Sequence, residues 1–189
     1  MSMVIIVLIA VLVLAGIIGI WWISAYNSLI ALSNRVDASW ANIDTQLKRR
    51  SDLIPNLLES VKGYMSHERE TLEAVIAARS AVTAAKDPAT AAQADTALSG
   101  ALRQLFALSE NYPQLRANEN FLQLQNELTA TENAIAGTRQ QYNSSVQDLN
   151  TRREIFPVSI VAGNKPKFAA RQYFEVKDEA AREVPKISF

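Results

Sequence analysis

The sequence lacks cysteine entirely and has a single histidine, His67. Without cysteine the chain can form neither a disulfide nor a thiolate zinc site, and it has at most one imidazole for a metal or a catalytic base. An excess of one charge is also absent, because 19 basic residues balance 19 acidic ones. A protein that binds nucleic acid normally carries a basic excess, so we expect no nucleic-acid partner.

Short catalytic motifs are missing as well. His67-Glu68 begins like the zinc-protease motif HExxH, but Thr71 stands where the second histidine would be. There is no glycine-rich phosphate loop, and the scattered glutamates lack the Glu-x-x-His spacing of a di-iron bundle. We therefore predict a protein that is not an enzyme, with no cofactor and no metal site, in which His67 is an ordinary surface residue.

What the sequence does have is a long apolar run at residues 3–23, MVIIVLIAVLVLAGIIGIWWI. It contains no charged or amide side chain, and as a helix it would span about 30 Å, the thickness of a bilayer's hydrocarbon core. A cleaved signal peptide would need a basic segment before the run, a shorter core and a small-residue cleavage site, and this pattern is absent. We predict a retained transmembrane anchor over residues 1–25, with Trp21, Trp22 and Tyr26 at the membrane interface.

The positions of lysine and arginine indicate the orientation of this anchor. None precedes the apolar run, whereas Arg35 and then Lys48-Arg49-Arg50 follow it. The positive-inside rule therefore favours a single-pass protein of the cell (inner) membrane, with its N-terminus outside and its body in the cytoplasm. The basic triplet itself is interpreted as a solvated helix face that pairs with Asp44 or Asp52.

From Tyr26 onward, apolar residues recur at steps of three and four, which predicts a helix continuous with the anchor. The stripe consists of Leu29, Leu32, Val36, Trp40, Ile43, Leu47, Ile54, Leu58 and Val61, with one step of seven. Pro55 should kink or restart this helix, with Ser51 or Asp52 as a cap, and Gly63 should end it.

Three further helices are predicted along the chain. The second should open at Ser66, and the third should begin at Pro88 with Asp87 as its cap. The fourth should start after Tyr112 and stop at Pro157. Its apolar residues are seven apart, at Phe121, Leu128, Ile135, Tyr142, Leu149 and Phe156, which is typical of a helix in a bundle or coiled coil. Amides at Asn126, Asn133, Gln140 and Gln147 form an opposite stripe that faces either water or a partner.

These patterns predict an all-α protein: an N-terminal transmembrane helix, then an antiparallel four-helix bundle with two long and two short helices over residues 26–157, and a partly extended C-terminal tail over residues 158–189. The predicted bundle core includes Leu47, Ile54, Leu128, Ile135, Tyr142 and Leu149. The tail is too rich in large apolar residues for a disordered segment. We expect it to pack on its own bundle or on a neighbouring subunit, as an assembly element, through Phe168, Tyr173, Phe174, Val176, Ile187 and Phe189.

Three stretches of the sequence resemble the bacterial LemA family. They are AYNSLIALSNRVDASWANIDTQLKRRSDLIPNLLESVKGYMSHE, LFALSENYPQLRANENFLQLQNELTATENAIAGTRQQYN and YFEVKDEAAREVPKISF. The resemblance runs from about Tyr26 to Phe189, interrupted in the alanine-rich stretch and around AGNKPKFAARQ. It implies a single-pass membrane protein with a helical body and no established enzymatic activity.

Two functions are consistent with the sequence. The favoured hypothesis is a non-enzymatic scaffold that is anchored in the lipid bilayer and forms a homo-oligomer through its long helices and tail. The alternative is an adaptor or regulator of a membrane enzyme, such as a protease, that would contact this membrane-protein partner through the amide stripe.

Overall fold

The computed structural model describes residues 3–65, 67–163 and 165–175, and within these residues the protein is helical without β-strands, which confirms the predicted all-α class. The α-helices are α1 (Met3–Lys62), α2 (Arg69–Ala84), α3 (Pro88–Ser109), α4 (Pro113–Arg116), α5 (Glu119–Glu154) and α6 (Val158–Ala162), and a 3-10 helix covers Pro166–Phe168. As predicted, α1 and α5 are long, with 60 and 36 residues, whereas α2 and α3 have 16 and 22.

The chain forms two compact units. The first consists of Met1–Ser39 and Asn143–Arg171. In it, the hydroxyl groups of Ser39 on α1 and Ser145 on α5 lie 3.2 Å apart. The Arg153 side chain of α5 donates a hydrogen bond to the Phe168 carbonyl, and the Phe168 ring packs against Tyr26 of α1. The end of α5 and the segment after it therefore pack along the part of α1 that follows the apolar run.

The second unit consists of Trp40–Tyr142 and Gln172–Phe189. Four helical stretches contact one another in it: the end of α1, α2, α3 and the start of α5. Arg50 of α1 reaches Asp95 of α3, Arg79 of α2 reaches α1, and Phe106 of α3 packs edge-on against Phe121 of α5. Leu98, Leu102 and Leu105 supply the buried face of α3.

The sequence predicts that Pro55 either kinks or restarts the first helix. The restart is wrong, because α1 continues through Pro55 to Lys62. Proline has no N–H to give to the carbonyl four residues earlier, which is that of Ser51. That carbonyl accepts a hydrogen bond of 2.9 Å from the Nε of Arg79, on α2. A tertiary contact thus replaces the missing helical hydrogen bond, and neither Ser51 nor Asp52 begins a new helix.

Other helix ends differ from the sequence prediction in part. Asp87 caps α3 as predicted, accepting hydrogen bonds from the N–H groups of Ala89 and Thr90. By contrast, α2 begins at Arg69 with Glu68 at its N-cap position, and the predicted cap Ser66 lies outside the described residues. The segment after Tyr112 forms only the single turn of α4. The long helix α5 begins seven residues after Tyr112, at Glu119.

Asn118 explains the late start of α5. Its side-chain oxygen accepts hydrogen bonds from the N–H groups of Asn120 and Phe121, the arrangement of a helix N-cap. At the other end α5 stops at Glu154, so the seven-residue repeat does not extend to Phe156, which lies beyond the helix and is 76% exposed. Within α5, the predicted amide stripe is exposed at Asn126, Asn133, Gln140 and Gln147.

Candidate functional site

The apolar run of α1 is exposed at every residue except Trp21, which is half-buried. Within the described part of the chain, α1 alone is long and apolar enough to cross a membrane, and its most apolar stretch is entirely unburied by the rest of the protein. Covering apolar surface is favourable by about 25 cal/mol per Å², so a helix surface of this kind calls for lipid or protein around it.

Aromatic side chains mark the end of this run, in the first unit. The predicted interface residues Trp21 and Trp22 make an edge-to-face pair with ring centroids 6.4 Å apart. Tyr26 makes a second such pair, at 5.6 Å, with Phe168. Trp22 and Tyr26 remain exposed, whereas Ala25 and Leu29 are buried. Burial of α1 within this unit thus begins where the apolar run ends.

A lysine from the segment after α6 lies over these rings. The Lys165 ammonium group is 6.0 Å from the Trp22 ring centroid and 5.2 Å from that of Tyr26, within the range of cation–π attraction. It also donates a hydrogen bond of 3.0 Å to the Val161 carbonyl in α6. Lys165 therefore joins α6 to the end of the predicted anchor, at Trp22, and to Tyr26 just after it.

The chain after the 3-10 helix is held by polar contacts in the same unit. The Arg171 guanidinium group lies 3.1 Å from the Asp37 carboxylate on α1. Asn150 of α5 makes two hydrogen bonds to the backbone of Arg171, one through its amide nitrogen and one through its oxygen, each 3.0 Å long. The backbone of this extended segment has no strand partner among the described residues, so its N–H and C=O groups need other hydrogen-bond partners. Asn150 supplies them at Arg171.

A buried arginine links three helices of the second unit. Arg50 is 1% exposed, and its Nη1 donates hydrogen bonds to the Asp95 carboxylate at 2.8 Å and to the Ser99 hydroxyl at 2.9 Å. Glu132 of α5 adds a carboxylate 3.5 Å from Nη2. The prediction that Arg50 belongs to a solvated face is therefore wrong, although Lys48 and Arg49 are exposed as predicted.

The surroundings of Asp95 act on its carboxyl group in opposite directions. Burial disfavours the charged form and raises the pKa of Asp95 above its ordinary value, and the nearby Arg50 charge opposes this rise. The hydrogen bond of 2.8 Å has the length of a charge-assisted bond. Arg50 and Asp95 thus form a buried ion pair that links α1 to α3.

A cleft of about 380 Å³ opens beside this pair, between α3 and α5. Its lining residues are Asp95, Thr96, Ser99, Gly100, Arg103, Glu132, Ile135, Ala136 and Arg139. Asp95 and Ser99 already accept hydrogen bonds from Arg50, so they bind the protein's own arginine. The geometry assigns these two side chains to holding the helices together.

The described part of the predicted assembly tail packs on its own chain. In the second unit the Phe174 ring lies 6.3 Å from Trp40, and the Tyr142 hydroxyl donates a hydrogen bond to the Gln172 carbonyl. In the first unit Phe168 is buried against Tyr26, as described above. Tyr173 is half-buried, and the three remaining predicted tail residues, Val176, Ile187 and Phe189, lie outside the described residues.

The predicted core residues Leu47, Ile54, Leu128, Ile135, Tyr142 and Leu149 are all buried, at 0–4% exposure. The sequence analysis did not predict that Arg50 is buried, although the sequence carries a signal for it. The one step of seven in the α1 stripe lies between Leu47 and Ile54, and Arg50 occupies the vacant position, three residues after one and four before the other. No comparable periodicity indicates Lys165 or Arg171, because both follow the last α-helix.

The chain is similar in sequence to a known family. The model of the LemA family matches residues 39–189. A protein from Metamycoplasma hominis named Protein LemA is 28% identical over 152 residues, which cover 78% of this chain and 68% of that protein. The matched residues include the end of α1 and every helix after it.

Proposed function

The chain belongs to the LemA family, and from that premise we propose that it is a non-enzymatic scaffold, anchored in the cell (inner) membrane by residues 1–25 and self-associating there. Its N-terminus lies outside and its body in the cytoplasm. The observation that carries the anchoring is the wholly exposed apolar stretch of α1. A surface of this size is covered most simply by the hydrocarbon of a bilayer, whose thickness the run matches.

The support for self-association is the composition of the tail. Phe168 and Phe174 already pack within their own chain. Val176, Ile187 and Phe189 follow in sequence, and large apolar side chains of this kind are costly to leave in water. In this proposal, residues 176–189 contact a neighbouring copy, whereas residues 165–175 belong to the fold of the single chain.

The alternative proposal, an adaptor or regulator of a membrane enzyme, is supported by the exposed amides of α5. Along this helix, exposed amide side chains recur every seven residues, at Asn126, Asn133 and Gln140. Simultaneous replacement of the three by alanine separates the proposals. A scaffold would keep its oligomeric mass, and an adaptor would lose proteins that co-purify with it from native membranes.

The membrane topology can be tested directly in cells. We expect protease added to intact spheroplasts to leave the body undigested, because the basic residues after α1's apolar run favour a cytoplasmic body. The protein should also retain its apolar run, as judged by the mass of the mature chain. Digestion in intact spheroplasts, or an N-terminus that begins after the run, would contradict the proposal.

Truncation after Glu175 tests the role of the tail. Because it leaves Phe168 and Phe174 in place, we expect the shortened protein to keep the melting temperature of the full chain and to lose its oligomers. Truncation after Gly163 is the matched comparison, and it should lower the melting temperature as well, since it removes the contacts of both phenylalanines. Oligomers that survive removal of residues 176–189 would assign self-association to another surface.

A further inference from the structure

Three large apolar side chains are exposed within six residues between the end of α5 and the end of α6. Ile155 is 49% exposed, Phe156 is 76% exposed and Ile160 is 58% exposed. Their neighbours Val158 and Val161 are buried within the first unit. A single exposed apolar residue is ordinary on a protein surface, whereas several within one short segment indicate a contact with a partner or a membrane.

Contacts within the first unit place this apolar patch, Ile155, Phe156 and Ile160, at the anchor end of α1. Ser145 lies beside Ser39, and the nine residues from there to Glu154 advance α5 by about 13–14 Å. The advance is towards the anchor, because Arg153 contacts Phe168, which packs on Tyr26. The turn that carries Phe156 therefore lies at the level of the residues just after the apolar run.

The contacts of Lys165 locate α6 more closely relative to the end of the apolar run. It bonds the Val161 carbonyl, one residue after Ile160, while its ammonium group lies over the rings of Trp22 and Tyr26. Trp22 lies in the last turn of the run that matches the bilayer in length, and Tyr26 lies about one turn beyond it. The interfacial layer of a bilayer extends roughly 5–7 Å beyond the hydrocarbon on each side, so α6 falls within or against that layer.

The charge around the patch suits an anionic surface. Residues 143–171 carry five basic side chains against two acidic ones. Arg152, Lys165 and Lys167 are exposed, and they lie close to the apolar residues in the sequence. Apolar side chains flanked by exposed basic ones are the composition of segments that lie in the membrane interface and attract anionic headgroups.

We propose that Ile155, Phe156 and Ile160 insert into the interface of an anionic bilayer and form a second membrane contact beside the transmembrane anchor. This inference rests on the proposed membrane anchoring. The contact would fix the tilt and rotation of the first unit on the membrane surface, which one spanning helix alone leaves free. We assign lipid as the occupant of the patch. Coverage of the patch by a second copy of the chain would exclude this assignment.

The absence of cysteine makes a site-specific test simple. The full-length Phe156→Cys protein is labelled with an environment-sensitive fluorophore and placed in nanodiscs that contain phosphatidylglycerol, with or without nitroxide-labelled lipid. We expect a blue-shifted emission and quenching by the nitroxide at least about twofold stronger than at Ser144→Cys, an exposed site about 15 Å back along α5. Phe156 is mostly exposed, so its replacement should leave the fold intact.

Ile20→Cys, inside the apolar run, separates failure of this inference from failure of the anchor. Strong quenching at residue 20 together with water-like, weakly quenched emission at residue 156 would overturn the second contact and leave the anchor standing. Weak quenching at both positions would overturn both. A blue shift at residue 156 without nitroxide quenching would mean that protein, such as a second copy, covers the patch, and it would overturn the lipid assignment.

Discussion

At the scale of single residues, Arg50 decides how the second unit is held together. A buried guanidinium group is costly unless it is paired, and Asp95 supplies the short hydrogen bond that compensates it. The Nε of Arg50 has no partner among the described residues, so the pairing is incomplete. The side chain is therefore tolerated in the core because of Asp95 and Ser99, and the stability of the unit depends on both.

We expect Asp95→Ala to destabilise the protein by about 3–5 kcal/mol, because it leaves the Arg50 charge buried without its closest partner. For a chain of this size, each kcal/mol corresponds to roughly 2–4 °C in melting temperature, which circular dichroism in mild detergent can follow. Asp52→Ala, at an exposed carboxylate on α1, is the control and should change stability by no more than about 0.5 kcal/mol.

The double variant Arg50→Met/Asp95→Ala sharpens this test. Methionine fills much of the space of arginine without its charge, so the double variant should be more stable than Asp95→Ala alone. A double variant less stable than Asp95→Ala would contradict the account, because it would mean that the contacts of Arg50 with Ser99 and Glu132 outweigh the cost of its uncompensated buried charge.

At this scale the sequence predicted burial well where side chains were apolar and poorly where one was charged. Ile54 and Ile135 follow from spacing alone, since burial of an apolar side chain needs no specific partner. Burial of Arg50 depends on Asp95, which is 45 residues away, and no local pattern shows that the two meet. The gap in the α1 stripe marked the position, but only the partner made a charged residue stable there.

At the scale of helices, α1 shows how a tertiary contact can override a local signal. Proline in a helix interior usually costs about 3 kcal/mol, partly because a carbonyl loses its hydrogen bond. Here the orphaned carbonyl of Ser51 is bonded by Arg79, and the helix continues. The sequence predicted the existence and the relative lengths of the main helices. It did not predict the hydrogen bond from Arg79 to the Ser51 carbonyl, because these residues lie 28 positions apart in the chain. It did not predict the Asn118 cap either, because several residue types signal a turn between Tyr112 and Glu119.

We expect Arg79→Met to cost about 1.5–3 kcal/mol, the usual range for a hydrogen bond to a charged group. The same change should cost less in a Pro55→Ala background, where the alanine N–H can bond the Ser51 carbonyl in place of Arg79. A double-mutant cycle measured by thermal unfolding gives the coupling directly. If Arg79→Met costs the same with proline or alanine at position 55, the compensation inferred here is absent.

At the scale of the whole molecule, the family and the apolar helix are established and the assembly is a proposal. The chain is a LemA family member and has an exposed apolar helix long enough to cross a membrane, and the sequence alone predicted both features. Self-association stays a prediction, because an interface between copies needs complementary surfaces, and no sequence period reports on complementarity. The composition of residues 176–189 is a reason to look for it.

The most direct test of the scaffold proposal is the mass of the full-length protein in mild detergent, measured by light scattering with the detergent contribution subtracted. One chain has a mass of 20.9 kDa. The account predicts a protein mass of two or more times this value, and this mass should stay constant on dilution through the range of the measurement. A protein mass of a single chain, at concentrations where the full-length protein is folded, would contradict it.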